Sequence, residues 1–403
     1  MSDFTGSIIF LSDEALIPAN RGGRVETANE VAALVAAGWR VQLVVPFDSA
    51  EEMATGVSEH QEKFGVEQVV GYVRPGKIYA NAVRPWLPHI ASSRVPSWRD
   101  MKRLISELSD FGRPDALLCA HDYMLPVARR VSSRLNIPIV VRSHNNEFRA
   151  LLASGLGSLS IRRKAFLIAD AWRYRFVASF LVAKATDVLL LSVDDRSGYR
   201  RARARLSVVG PILASTRNPS SRVVSRGRDC VFVGALDTPQ TRHGLDWFIS
   251  EVAPILAERA PGVIVRIVGR NAPQELVSRI DVTSNIQYVG EVDDIYEEIL
   301  SAGVFINPVF LGSGVNMKMG PPAELGLPIV TTSFGLRGLE SLRGASLAAD
   351  DPFAFAMSCK RLLEDRDLWQ QLSAAGPEVI AGEYSAEAFA SHLRLVVERI
   401  RAS

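Results

Sequence analysis

Short runs of apolar, strand-favouring residues alternate along this chain with longer stretches in which apolar positions recur every three or four residues. Ser7–Leu11 and Val41–Val45 bracket an amphipathic stretch at Arg24–Ala37, the pattern of a parallel β-α-β unit. Further strands are expected at Gln68–Val73, Ala116–Cys119, Ile137–Arg142 and Val188–Ser192, with helices at Leu125–Leu135 and Ser160–Ala183. Together they describe one doubly wound sheet. Residues 50–113 are less regular and, with Pro75, Pro85, Pro88 and Pro96 and two tryptophans, are expected to hold loops and short helices around the strand at Gln68.

Gly210-Pro211 and a polar run from Ser215 to Asp229 then interrupt the pattern, which places an interdomain linker at 211–229. The alternation resumes with strands at Cys230–Gly234, Val263–Val268, Ile286–Val289, Val304–Pro308 and Ile329–Thr332. Helices are expected at Leu245–Arg259 and Asp294–Ala302, and Pro352–Ile400 reads as consecutive helices punctuated by Gly376-Pro377 and Gly382. The expected organisation is therefore an α/β domain at 1–210, a second at 230–380, and a terminal helix at 381–403 able to pack back on the first.

Composition changes this picture little. The 403 residues are 47% hydrophobic and 22% charged, as in a soluble protein of two domains. Cys119, Cys230 and Cys359 are far apart in apolar segments and suggest neither a disulfide framework nor a zinc site. No uncharged apolar run reaches the roughly 18 residues of a membrane span. The best candidate, Val177 to Val193, is interrupted by Lys184 and Asp187. The start Met1-Ser2-Asp3-Phe4 lacks the features of a signal peptide, so a cytoplasmic setting is expected, with peripheral contact to the inner membrane face as an option.

The net charge is only +2, but residues 1–210 hold 28 Lys+Arg against 21 Asp+Glu, and the remainder 18 against 23. A basic half of this kind suits an anionic membrane, nucleic acid or a phosphorylated substrate, although a solvated Arg-rich helix face is the commoner cause. Arg-rich helices at Ser160–Ala183 and Arg196–Leu206 would be the parts to lie on a bilayer. Nucleic acid is not expected as a partner.

Three places carry candidate chemistry. Gly22-Gly23 opens the first helix, where free N–H groups could meet an anion or hydroxyl, although a turn glycine is the simpler explanation. Gly312-Ser313-Gly314 follows a strand and precedes Lys318, offering flexible backbone, N–H donors and an ammonium to a diphosphate. There is no Gly-Lys-Ser/Thr, which disfavours an ATPase. His144, at a strand end, begins the polar cluster His144-Asn145-Asn146-Glu147.

At this point a family emerges. Gly312-Ser313-Gly314-Val315-Asn316-Met317-Lys318, followed by Glu324-Leu325-Gly326-Leu327-Pro328-Ile329-Val330-Thr331-Thr332, resembles the signature of family 4 retaining GT-B glycosyltransferases, the glycosyl transferases group 1. Val233-Gly234 with Trp247-Phe248, Val268-Gly269 with Arg270, Tyr288-Val289-Gly290 and Gly335-Leu336-Arg337-Gly338-Leu339 match later landmarks in order and spacing. The first half is similar mainly through Gly22-Gly23 and Arg142-Ser143-His144-Asn145.

The resemblance implies a GT-B fold, two Rossmann-like domains facing a central cleft. It implies a nucleotide-diphosphate sugar held by the second domain, a hydroxyl acceptor (glycan, lipid-linked or small molecule) held by the first, transfer with retention, and no metal or other cofactor. Arg270, Gly312, Ser313, Gly314, Lys318 and Glu324 would bind the donor, Gly22 and Gly23 would face acceptor or phosphate, and His144 would be catalytic.

Two departures stand out. The family's paired glutamates, eight positions apart, fall on Ser313 and Pro321, and Pro321-Pro322 predicts a helix that starts near Pro321 with Glu324 in its first turn, as a cap or a substitute ribose ligand. Positions where relatives present Arg and Lys to phosphate look like Ala235 and His243, leaving Lys318, Arg270 and Arg242. These changes motivate an alternative, a catalytically silent protein that partners an active glycosyltransferase. A nucleotide-sugar epimerase is remote, because the motifs supply few acid and base carboxylates.

Overall fold

The computed structural model describes residues 6–19, 22–76, 84–144, 146–156, 160–199, 203–214, 224, 226–312 and 314–402. It separates into two units, Met1–Ile212 with Ala386–Ser403, and Leu213–Ser385.

The first unit is built on seven parallel strands: β1 (Ser7–Leu11), β2 (Arg40–Phe47), β3 (Gln68–Val73), β4 (Ala116–Ala120), β5 (Ile139–Ser143), β6 (Asp187–Leu190) and β7 (Arg205–Val208), in the order β3-β2-β1-β4-β5-β6-β7. Register is set by pairs such as Ile8 with Val41 on one side and Ile8 with Ala116 on the other. The central strands are apolar on both faces because helices cover both. Helix α1 (Gly22–Ala36) contributes Val31 and Leu34 to one layer.

The chain's last helix, Ala386–Arg401, adds Phe389, Leu393 and Val397 to that same layer. Ion pairs of Arg399 with Asp187 and of Arg401 with Asp115 (2.7 Å) hold it there. The unit therefore regains the chain at Ala386. A boundary after 380 would cut the preceding helix, Arg366–Glu383.

The second unit has six parallel strands: β8 (Cys230–Val233), β9 (Val265–Val268), β10 (Ile286–Gly290), β11 (Val304–Asn307), β12 (Ile329–Thr331) and β13 (Ser346–Ala348), ordered β10-β9-β8-β11-β12-β13. Its first helix begins at Pro239, not Leu245, and runs to Arg259. It widens to π geometry over Phe248–Val252, just ahead of Pro254, whose missing N–H interrupts the α ladder.

Several sequence expectations are corrected. Arg196–Leu206 is not a helix: Val193–Tyr199 is a 3-10 segment and Arg205 opens edge strand β7, whose half-exposed, polar-interrupted pattern hides the strand signal. Residues 50–113 contain two full helices, Ala50–Phe64, capped by Ser49 and by Gly65 at φ 63°, and Trp98–Ser109, capped by Ser97. Both lie outside the proline-rich stretch that obscured them. Gly376-Pro377 does not break its helix, because Gly376 is there for close approach: a Cβ would come within 2.5 Å of the Ala323 carbonyl oxygen.

Candidate functional site

In a doubly wound sheet the crevice for polar groups opens at the carboxyl ends of the two strands between which the order reverses. In the first unit these are β1 and β4, in the second β8 and β11. Each unit gathers its unusual polar residues there, in different ways.

At the first switch point β1 leads into Asp13, β4 into His121 and β5 into His144, while α1 presents Glu26 and Glu30. The two glutamates share a helix face by their spacing of four. Between them sits Arg142, on β5 and wholly buried. Its Nε donates to Glu30 Oε1 (2.6 Å), Nη2 to Glu26 Oε1 (3.3 Å) and the Gly210 carbonyl (2.9 Å), and Nη1 to the Val209 carbonyl (2.6 Å). The guanidinium also faces the Phe389 ring, 5.4 Å from its centroid.

His144 lies at the same carboxylate, Nε2 3.2 Å from Glu30 Oε1 and Nδ1 3.0 Å from His121 Nε2. Burial would drive Glu30 upward, but His144 and Arg142 outweigh it and bring its carboxyl down to about 2. Burial likewise opposes charge on His144, and the Glu30 carboxylate, with Glu26, reverses this and raises the imidazole above its ordinary range. His121, buried and beside that cation, falls to about 3. The consistent proton assignment is an imidazolium at His144 donating from both nitrogens to Glu30 and to a neutral His121.

The network extends outward through Asp13, which accepts from Tyr123 Oη (2.7 Å) and lies 3.7 Å from Arg94. Glu26, Glu30 and His144 bring potential metal-ligand atoms within 4.8 Å of one another. Arg142 already bonds both carboxylates, so a guanidinium supplies the cation that such a trio needs. Beside the network is a cavity of about 550 Å³ lined by Asp122, Asn146, Arg149, Tyr174, Arg175 and Tyr199, among others. Its floor is Asp122, whose carboxylate accepts from Tyr174 and from Tyr199 (2.6 Å). Burial pushes Asp122 up despite these bonds.

At the second switch point the key cation is Lys318. It sits in the 3-10 turn Met317–Met319, its Nζ donating to Thr241 Oγ1 (2.6 Å) and lying 5.1 Å from the Phe232 ring centroid. Among the described residues no acid pairs with it, and burial lowers its pKa to about 8. Glycines make the room: a Cβ on Gly234 would come 2.7 Å from Lys318 Cε, one on Gly269 1.8 Å from the Gly234 oxygen, and one on Gly244 1.7 Å from the Pro308 oxygen. Gly234 thus leaves room for the Lys318 ammonium, while Gly269 and Gly244 let neighbouring backbone segments approach one another.

The glycine loop is held from two sides. Arg337 Nη2 donates to the Gly312 (3.0 Å) and Gly314 (3.3 Å) carbonyls. Asn316 Nδ2 donates to Asn307 Oδ1 (2.8 Å), and Asn307 Nδ2 to Thr331 Oγ1 (2.9 Å). Ser313 and Asn145 lie outside the described residues.

The helix after Lys318 spans Gly320–Leu325 with prolines at its start, close to the expected position. Its first turn contains no acid, so the expectation that Glu324 sits there is corrected. The 3-10 turn feeds directly into Gly320, which leaves Glu324 near the helix's end. Arg270 is exposed past β9, its carbonyl accepting from the Leu236 N–H (3.0 Å). Arg242 pairs with Glu275 (3.3 Å) at the surface. Gly22 and Gly23 are the first two residues of α1, with open space where a Cβ on Gly23 would sit.

Sequence reasoning passed over Asp13, Glu26, Glu30 and His121, and the supporting roles of Thr241, Asn307 and Arg337. The signal that singled out His144, a polar residue just past an apolar strand, applies equally to Asp13 and His121. Two glutamates four apart in the first half of α1, before its apolar run Val31–Ala36, were a further sign.

Comparison with known proteins fits this architecture. Residues 227–365 match the family model described as glycosyl transferases group 1. An uncharacterised 44.6 kDa protein in the cps region of Klebsiella pneumoniae is 23% identical over 362 residues, 87% of this chain and 89% of that protein. Among solved structures, sucrose-phosphate synthase from Thermosynechococcus elongatus superposes with a TM-score of 0.66 at 14% identity, covering 98% of this chain and 99% of that one. HepE from Anabaena, in complex with UDP and glucose, gives 0.60 at 14% identity, covering 97% and 99%. No helix among the described residues is long and apolar enough to cross a membrane. The chain thus has the GT-B fold, and residues 227–365 of its second unit are similar to the glycosyl transferases group 1 family.

Proposed function

We propose that the protein is a glycosyltransferase that moves a sugar from a nucleotide-diphosphate donor to an acceptor hydroxyl, with retention of configuration. The observation that carries this reading is Lys318: a half-buried ammonium with no carboxylate partner among the described residues, packed against Gly234 at the switch point of β8 and β11, inside the stretch matching glycosyl transferases group 1. A cation desolvated in this way is poised for an anion that arrives with the substrate.

In this reading Lys318 neutralises charge building on the departing diphosphate, and the strapped Gly312–Gly314 loop offers N–H groups to the donor. Arg270 and Glu324 serve the nucleoside and sugar. The complexes of HepE with UDP, with UDP and glucose, and with UDP-glucose favour a uridine nucleotide as the first donor to try. The first unit binds the acceptor, the cavity beside Asp122 supplying hydroxyl and guanidinium groups for a polyhydroxylated molecule. His144, held between Glu30 and His121, is the candidate catalytic group there. Lys318 takes the charge-neutralising role that a metal fills elsewhere, so turnover should survive EDTA.

Calorimetry with UDP-, GDP-, ADP- and dTDP-sugars tests the donor assignment. At least one should bind, and Lys318→Ala should weaken it by roughly tenfold to a hundredfold. No binding by any donor, together with no effect of Lys318→Ala, would sink the reading. The anomeric configuration of the product, read by NMR, tests retention.

The acid-free first turn at Pro321-Pro322 favours a second reading, a catalytically silent binding partner of an active glycosyltransferase. Sugar transfer by the purified chain, lost in His144→Ala, would exclude it.

A further inference from the structure

Helix Ile161–Val182, the longest of the first unit, is apolar on two sides. Its inner side packs Ala171, Tyr174, Leu181 and Val182 into the unit. Its outer side carries Ile161, Phe166, Trp172, Phe176 and Phe180 at helical spacing, and Ile161 and Phe176 are 84% and 79% exposed. A soluble protein seldom leaves a row of large aromatic side chains in water without a use for it.

The charge on this helix has one sign at the surface. It bears Arg162, Arg163, Lys164, Arg173 and Arg175, whereas its single acid, Asp170, is buried and accepts from the His89 N–H (3.0 Å) and Arg173 (3.1 Å). Cations also lie over the aromatic groups, Arg175 5.0 Å from the Phe148 centroid and Arg129 5.7 Å from that of Phe180. The helix is long enough to cross a bilayer, but its charges forbid that. Aromatic side chains flanked by guanidinium groups instead match the interfacial zone of a membrane, where rings sit at headgroup depth and basic residues meet lipid phosphate.

We propose that the outer face of helix Ile161–Val182 binds the surface of an anionic phospholipid membrane, lying in its plane. A second copy of the chain fits this face less well, because a two-fold pairing would bring the same Arg-rich surface against itself. The inference does not depend on sugar transfer. It bears on it in one respect: Arg175 and Ser179 of this helix also line the cavity beside Asp122, so an amphiphilic acceptor could enter that cavity from the membrane surface.

The test is co-sedimentation of the full chain with vesicles of phosphatidylcholine alone or with about a third phosphatidylglycerol. The chain should pellet with the anionic vesicles, and less so as salt rises. Phe176→Asp with Phe180→Asp should abolish binding. Arg162→Gln, Arg163→Gln and Lys164→Gln together should weaken it roughly a hundredfold, about fivefold per charge. Phe176, Phe180, Arg162 and Arg163 are exposed and Lys164 is half-buried, so circular dichroism should show folded variants. No enrichment on anionic vesicles at low salt overturns the proposal, as does enrichment that the Phe176/Phe180 variant leaves intact. Dimerisation lost in that same variant, without vesicle binding, would assign the face to a second copy. Donor binding by calorimetry is expected to be unchanged in these variants, which separates this result from the fate of the sugar-transfer reading.

Discussion

The two units share one topology and treat charge at their switch points in opposite ways. In the first, Arg142 and His144 are buried against Glu26 and Glu30, and every charge has its counter-charge within the chain. In the second, Lys318 is half-buried against a threonine hydroxyl, an aromatic face and Gly234. A closed network rigidifies a scaffold, whereas an uncompensated cation waits for a partner. Under the proposed function, the first site is a rigid scaffold that holds His144, and the second is where the donor's anion would bind.

The largest expected effect falls on the closed network. Arg142→Leu removes the guanidinium that bonds both buried carboxylates, leaving His144 as the cation beside them, and should cost about 3–5 kcal/mol in urea unfolding. Adding Glu26→Gln and Glu30→Gln should recover much of that loss. A single variant as stable as the parent would contradict the account of this site.

Next in size is Gly244→Ala, whose Cβ would collide with the Pro308 carbonyl oxygen. Overpacking there should cost about 1–3 kcal/mol, read as a lowered Tm. The backbone is closed at this point and Arg142 plays no part, so the two losses should add.

Lys318→Met should act with the opposite sign. Removing a half-buried charge that has no counter-ion among the described residues is expected to stabilise the free protein by about 1–2 kcal/mol while weakening UDP binding. Affinity for UDP in the parent should fall as pH rises through about 8, where the ammonium loses its proton. A destabilised Lys318→Met protein would make the two switch points alike.

A further effect is on acid stability. His121 stays neutral in the fold down to about 3, whereas an unfolded imidazole takes up a proton below about 6.5. Protons then favour the unfolded chain, so stability falls as pH drops below about 6.5. Glu30 contributes above its ordinary 4.5, and that contribution is lost as pH falls toward about 2. His144, raised, works the other way, adding stability below 6.5 that disappears as pH rises through its folded value. His121→Gln should flatten the decline between 6.5 and 4.5, checked by thermal melts across that range.

Much of the scaffold was legible because period and punctuation report it directly. β1, β3 and the helix Leu125–Leu135 lie where their patterns place them, and Ser160 and Ala183 cap the helix Ile161–Val182. Edge strand β7 was not, since a strand half open to solvent and interrupted by arginine carries no apolar run. At the candidate sites, the glycine loop and Lys318 stand together in one motif. Arg142 and its glutamates are more than a hundred residues apart in the chain, and no local pattern links them.

By itself the amino-acid order determined two parallel α/β sheets, the place of their break, and a lysine after a glycine loop, because these depend on periodicity, turn chemistry and residues close in sequence. Only the tertiary structure decided how charge is disposed. It closed Glu26, Glu30, Arg142, His144 and His121 into one network, left Lys318 without an acid, and turned a row of aromatic side chains outward, because burial and pairing depend on which distant strands and helices meet.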